Sequence, residues 1–383
     1  MRQVPYFVPD IGEAEIDEVV ETLRSGWLTT GPRAQRFERE FADYVGARHA
    51  VATSSGTAAL QLALDAAGVG PGHEVIVPAM TFAATASVVF HAGARPVVVD
   101  CRPDTLNLDV ERAEAAITPR TRALLPVHFA GHPVEIERFQ ALARAHGLAL
   151  IEDAAHAASA RWRDRPVGSL GPLTCFSLYA NKTITSGEGG VLTTDDEGLA
   201  RRARLMGGFG INRSPRRGPD EGAWYYEIEA IGWKFNLPDL AAAVAIHQLR
   251  RAEEFLRRRQ HCAALYGKGL ADVPELQLPC EAPEIRHAWH LYVIQLHLDR
   301  LRIGRQGFIE RLAELGVGTG VHYIPLHLHP YYRDTEGYRP ESCPVASAAY
   351  PRLVSLPIHP RMGDADIEHV IDAVRQVIAR NRR

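Results

Sequence analysis

The sequence predicts an α/β protein with a large, mostly parallel or mixed sheet, followed by a smaller α+β unit. Apolar runs of strand length alternate with helical segments from residue 74 to residue 151, and turn residues separate them. Beyond residue 250 that rhythm stops. A strand at 289–296, a helix at 305–315, a strand at 319–323 and a final helix at 365–379 follow instead. The expected division is a large domain over 1–250 and a smaller one over 251–383.

Hydrophobic residues make up 46% of the chain and the net charge is −3, which fits a soluble globular protein with a large core. The 43 Lys and Arg residues form no basic field of the kind nucleic-acid binders carry, so no nucleic-acid partner is expected. No apolar run reaches about 20 residues, so no membrane span is expected. The first residues show no leader pattern, and a cytoplasmic location is expected. Five scattered cysteines without a CxxC pair exclude a disulfide framework and a cysteine metal site. His287, His290, His297, His322, His327 and His329 lack a metal-ligand spacing, and no metal is expected.

The first helix is expected over 10–25, with Ile11, Ile16, Val19, Val20 and Leu23 at helical spacing and Asp10 as its cap. A polar loop through Thr29-Thr30-Gly31-Pro32, able to touch a ligand or a neighbouring subunit, leads to a second helix over 33–45. His49 to Thr53 reads as a strand, and Ser54-Ser55-Gly56-Thr57 as the turn into a helix that ends at Ala66. Free N–H groups, three hydroxyls and the positive dipole end suit a phosphate there. The same residues also cap helices that bind nothing.

Strands at 74–78, 96–99, 123–127 and 148–151 then alternate with helices at 83–91, 110–117 and 134–146. Ligands in such folds gather at the carboxyl ends of strands. Three of those ends carry Thr81-Phe82, His128 and Glu152-Asp153-Ala154-Ala155-His156. Burying an acidic pair costs free energy unless it is partnered, by a cationic ring nitrogen or by helix-start amides. His156 follows within one turn and shares the face of Asp153.

Lys182 stands alone between the apolar run Leu173–Leu178 and Gly187, Gly189 and Gly190, which let backbone approach a ligand. A lysine amine in a pocket can form a Schiff base with a carbonyl, the chemistry of pyridoxal phosphate enzymes. An ordinary lysine in a glycine-rich turn shows the same local pattern. Residues 207–222 carry no apolar period and are expected as a long mobile loop whose arginines could meet an anionic substrate. Gly232-Trp233-Lys234-Phe235-Asn236 opens the next helix, which is expected to continue into the basic 250–270 region, with Asp239 serving its start.

In order, Ser54-Ser55-Gly56-Thr57, Thr81-Phe82, Glu152 to His156, Ser177, Asn181-Lys182, Gly187 to Gly190 and Gly232 to Asn236 resemble the DegT/DnrJ/EryC1/StrS family of sugar-nucleotide aminotransferases. The resemblance runs from Gly26–Pro32 to Leu356–Pro360, essentially the whole chain. It implies a fold-type I pyridoxal phosphate transferase. Lys182 would form the Schiff base with the cofactor and then move protons. Asp153 would pair with the pyridinium nitrogen, while His156 would lie against the cofactor or orient its ring oxygen. Phe82 would cover one ring face, and Gly56, Thr57 and Ser177 would hold the phosphate.

Lys234 or Asn236 would reach the phosphate from the partner subunit of a homodimer. The implied reaction is ping-pong, from L-glutamate to a nucleotide-linked keto sugar, most simply a UDP- or dTDP-4-keto sugar. His322, Tyr323 and the 207–222 loop are candidate walls around that sugar.

The segments Gly232–Asn236, His287–His290 and Gly318–Tyr323 are similar to those of the transaminases that form UDP-4-amino-4-deoxy-L-arabinose. Tyr179-Ala180-Asn181 and Ser54–Thr57 depart from that subgroup. A sugar dehydratase of the same family is the competing enzyme, and Lys182 weighs against it because such members often carry histidine there. A cofactor-binding regulator without turnover is the competing non-enzyme.

Overall fold

A computed structural model describes residues 2–212, 222 and 224–383. Its centre is a seven-stranded sheet built from β1 (His49–Thr53), β2 (Glu74–Pro78), β3 (Arg95–Val99), β4 (Thr121–Leu124), β5 (Ala149–Asp153), β6 (Leu173–Ser177) and β7 (Gly190–Thr194). The spatial order is β1-β7-β6-β5-β4-β2-β3. Neighbours from β6 to β3 run parallel, whereas β7 is antiparallel to both β6 and β1. That reversal has a local consequence. β6 ends and β7 begins at the same edge of the sheet, so the linking residues 178–189, Lys182 among them, stay at that edge.

Alternation along the strands explains why both faces are covered. Ala50, Ala52, Ile76, Leu124, Leu150, Phe176 and Val191 enter one buried cluster with α2 (Pro32–Val45), α6 (Ile136–His146) and α8 (Asp239–Arg250). Val51, Val75, Val77, Ala123, Ile151, Cys175 and Leu192 enter another with α3 (Gly56–Ala66), α4 (Ala84–His91) and α7 (Glu197–Gly207). The expected α/β architecture is what forms. A third cluster gathers Val4 and residues 262–378 around a three-stranded antiparallel sheet, Leu276–Gln277, Tyr292–Leu296 and Leu353–Leu356.

Several boundaries differ from expectation for identifiable reasons. The first helix, α1 (Glu13–Ser25), starts after Gly12, whose N–H donates to the Glu15 carboxylate at 3.0 Å, while Asp10 pairs with Arg251 instead. The helix expected to run on past residue 250 breaks at Arg251, and α9 (Ala252–Leu270) follows. Residues 319–323 form no strand, since within them only Gly320 pairs, with Ser355. Within 207–222, Ile211–Asn212 pairs with Glu227–Ile228, and Arg213, Arg216 and Arg217 lie outside the described residues.

Candidate active site

The carboxyl edge of the parallel strands assembles the site. β5 delivers Asp153 at its last residue, β6 delivers Ser177, and the β1–α3 turn delivers Ser55, Gly56 and Thr57. These residues line a cavity of about 520 Å³ together with Thr81, Phe82, Thr85, His156, Tyr179, Asn181, Lys182, Glu188, His322 and Tyr323. Seven of the nine site residues expected from the sequence therefore meet in one place. The two that do not, the exposed Lys234 and the half-buried Asn236, lie outside this cavity.

Asp153 is buried, and among the described residues no cation forms a salt bridge with it. The Thr85 hydroxyl donates to its Oδ2 at 2.8 Å and the Ala155 N–H to its Oδ1 at 3.1 Å. Burial raises its pKa, opposed by those hydrogen bonds and by the charge of Lys182. Glu152, its neighbour in sequence, points into the opposite layer, where His128 at 3.0 Å and Thr174 at 3.1 Å satisfy it. The acidic pair is thus split by the strand pleat: one carboxylate is consumed by the core and the other faces the cavity.

Burial also acts on Lys182, drawing its pKa down to about 8 against the pull of Asp153. About a fifth of the amine is therefore neutral at pH 7.4, far more than for an ordinary lysine, and the neutral form is the one that attacks a carbonyl.

Ser55 caps α3 by accepting the Ala58 N–H at 3.0 Å. A side chain on Gly56 would come within 2.9 Å of the Ser177 Cβ, so this turn must pack on β6. Two of the glycines after Lys182, Gly189 and Gly190, serve packing, while Gly187 takes φ 82° with open space around it. A Cβ on Gly190 would meet the Gly56 nitrogen at 2.6 Å, and one on Gly189 would meet the Ser186 hydroxyl.

The hydroxyl of Thr57 and the N–H groups opening α3 remain toward the cavity, a cradle for a phosphate. Phe82 is 60% exposed over the mouth, 5.9 Å from the Tyr323 ring.

His156 lines the cavity, as a residue lying against the cofactor would, and its ring nitrogens bear on the other expected role, orienting a ring oxygen. Both ring nitrogens are engaged inside the protein, Nδ1 with the Ala130 N–H at 3.2 Å and Nε2 with the Tyr323 hydroxyl at 2.9 Å. It has no free nitrogen with which to orient a cofactor oxygen. Tyr323, expected only as a wall, makes that contact, and Thr85 was missed altogether. The signal for Thr85 was its spacing, four residues after Thr81, with which it shares a 2.7 Å hydrogen bond. His322 lines the cavity beside them, hydrogen-bonded to Ser355 at 2.8 Å, and burial lowers its pKa to about 4.

The Lys234–Asn236 segment is tied down elsewhere. The Ser54 N–H donates to the Phe235 carbonyl at 2.7 Å, Lys234 donates to the Asn236 side chain, and Asn236 donates to Thr30. Asp239 was expected to serve its own helix, yet it accepts the N–H groups of Gly31 at 2.8 Å, Arg33 at 3.1 Å and Ala34 at 2.9 Å. It caps α2 across the fold and fixes the 27–31 loop against the Asn236 segment.

A family model for DegT/DnrJ/EryC1/StrS aminotransferases matches residues 9–375. The chain belongs to this family. It is 47% identical over 377 residues to the spore coat polysaccharide biosynthesis protein SpsC of Bacillus subtilis, covering 98% of this chain and 97% of that one. The sugar aminotransferase Spr1654 of Streptococcus pneumoniae, solved in a PLP form, superposes with a TM-score of 0.92 at 33% identity over 99% of each chain. Helicobacter pylori PseC, an aminotransferase of pseudoaminic acid biosynthesis, superposes at 0.92 with 27% identity over 99% of this chain and 100% of that one. The family fits the site: a desolvated lysine, a buried carboxylate and an open helix start share one cavity.

Proposed function

We propose that this protein is a cytoplasmic pyridoxal phosphate-dependent aminotransferase that moves an amino group from L-glutamate to a nucleotide-linked keto sugar. The observation that carries the reading is the meeting of Lys182, Asp153 and the α3 helix start around one cavity. Membership of an aminotransferase family and the PLP form of Spr1654 support it. When bound, pyridoxal phosphate supplies an aldehyde to carry the amino group and a ring that stores electrons.

This chain's residues do the rest. Lys182 would hold the cofactor through its amine and would serve as the group that moves protons. Asp153 would pair with the ring nitrogen and favour its protonated form. Thr57, Gly56 and Ser177 hold the phosphate, and Phe82 covers the ring and limits water.

The shared site of a homodimer belongs to the same proposal. Lys234 and Asn236 do not line their own cavity, and both would have to leave their present hydrogen bonds to reach a partner's phosphate. Apolar surface surrounds them: Trp27 is 54% exposed and Ile231 89% exposed, and Phe209 and Trp233 are exposed in segments joined to the same unit. Such surface favours association.

We place the keto group at C4 of a UDP- or dTDP-linked sugar, a reading supported by the resemblance of Gly232–Asn236 and Gly318–Tyr323. The test is an assay of UDP-, dTDP- and GDP-linked 3-keto and 4-keto sugars with L-glutamate, with the aminated carbon assigned by NMR. Amination at C4 is expected. Product from 3-keto substrates alone would overturn the position, and no amination with any sugar would overturn the substrate class. Lys182→Ala should take up no cofactor that borohydride can fix to the protein.

A further inference from the structure

Tyr323 carries a hydrogen-bond polarity that the fold dictates. Ala130 sits at φ 59°, a left-handed conformation that costs alanine about 1–2 kcal/mol. In that turn its N–H points at His156 Nδ1, 3.2 Å away. An N–H can be received only by a nitrogen with a free lone pair, so Nδ1 is unprotonated.

Burial holds His156 far below the ordinary histidine range, and Lys182, His322 and His128 add to the effect, so the ring is neutral. Its single proton is therefore on Nε2, which donates to the Tyr323 oxygen at 2.9 Å. The Tyr323 hydrogen has to go elsewhere. Among the described residues its hydroxyl has no second partner, and the side chain lines the cavity that holds Lys182.

We propose that Tyr323 is the hydrogen-bond donor to a carbonyl or phenolate oxygen of the molecule bound beside Lys182, and that His156 is the positioning residue that fixes this direction. The chain of donors runs from Ala130 to His156 to Tyr323 and ends at the ligand. Every alternative fails on a proton count: if Tyr323 donated to His156, two hydrogens would meet at Nδ1. The proposal rests on the aminotransferase reading for the identity of the bound molecule. Two oxygens fit the chemistry, the ring hydroxyl of the cofactor, which ionises to a phenolate, and the carbonyl of the keto sugar.

The experiment uses full-length protein loaded with pyridoxal phosphate. In ¹⁵N-histidine spectra, the signals that vanish in His156→Gln should show a lone-pair Nδ1 and a protonated Nε2, unchanged from pH 5.5 to 8.5. The opposite tautomer would overturn the proposal whatever the activity. Tyr323→Phe should lower kcat/KM roughly 10- to 100-fold, the worth of one hydrogen bond to a charged or polarised oxygen.

His156→Phe should produce a loss of similar size, and the double variant should be no worse than either single one, because both break one chain. His156→Gln, whose amide can still donate to the hydroxyl, should recover most of that loss. Additive losses or no recovery would reduce His156 to packing and sink its part.

The two oxygens separate by spectrum. A shift in the absorbance of resting, cofactor-loaded Tyr323→Phe identifies the phenolate. An unshifted spectrum, with the loss confined to the keto-sugar half-reaction, identifies the carbonyl. Wild-type activity and spectra retained in full by Tyr323→Phe would refute the donor. If wild-type protein takes up no cofactor, the aminotransferase reading fails instead, and the tautomer measurement still stands on its own.

Discussion

Lys182 owes its reactivity to desolvation: the cavity draws its pKa to about 8, while Asp153 pulls the other way without cancelling the effect. Only the neutral amine attacks an aldehyde, and its fraction grows as pH rises through the pKa. Capture of pyridoxal phosphate by cofactor-free protein, followed by absorbance, should therefore accelerate with pH and level off above about 8. A rise continuing toward the ordinary lysine range would show an amine in water. Thr85→Val tests the carboxylate. It removes a donor from a fully buried Asp153 contact and should cost about 1.5–3 kcal/mol by urea unfolding. A loss below about 0.5 kcal/mol, ordinary for a surface change, would mean that Asp153 is satisfied without it.

Lys182 and Asp153 were legible in the sequence because each stands in a short, chemically odd stretch beside an apolar strand. Tyr323 was legible only as a cavity wall, and Thr85 only through its spacing from Thr81, which does not reveal its bond to Asp153. The role of Thr85 depends on a contact to Asp153 of β5, 68 residues away along the chain, and that of Tyr323 on a contact to His156, 167 residues away, and no local pattern encodes such pairings.

Elements were read well where periodicity is strong and poorly where one long-range contact decides. The sheet strands alternate cleanly between two buried clusters, so their existence followed from pattern alone. Residues 319–323 look like a strand by composition, but the backbone meets Tyr6 at Gly318, where a Cβ would lie 2.5 Å from the Tyr6 nitrogen. Close packing, not a ladder, shapes that segment.

Asp239 is the sharpest case, since a residue at the start of one helix caps another. Asp239→Ala would orphan three N–H groups at a site with no solvent exposure and should cost about 3 kcal/mol. Asp239→Asn keeps one acceptor and should cost less. If both variants unfold at the wild-type urea midpoint, the carboxylate is not the latch. If Asp239→Ala unfolds there while holding less cofactor, its role is local to the Asn236 segment.

At the scale of the whole molecule, we propose the division near residue 250 as the working boundary, with two qualifications drawn from packing. Val4 joins the third cluster through its pairing with Val317, so the start of the chain packs with the far end. Arg259 on α9 is buried and donates to the carbonyls of Trp289, His290 and Ile358, which ties that helix to the segments flanking the cavity.

The proposed homodimer makes the strongest demand on this architecture, because a complete site would need Lys182 from one chain and Lys234 with Asn236 from the other. Two crippled chains can test it. Lys182→Ala and the double variant Lys234→Ala/Asn236→Ala, carrying different affinity tags, would each form an inactive or weakly active homodimer. In the hybrid purified through both tags, one site would combine an intact Lys182 with an intact Lys234 and Asn236, and the other would carry every lesion.

Shared sites therefore predict recovery of about half the wild-type activity, since one site of two is whole under twofold symmetry. Sites built within single chains predict no recovery, because every chain in the hybrid remains defective. That outcome would return Lys234 and Asn236 to the role their own hydrogen bonds already show, a brace behind the Ser54 turn.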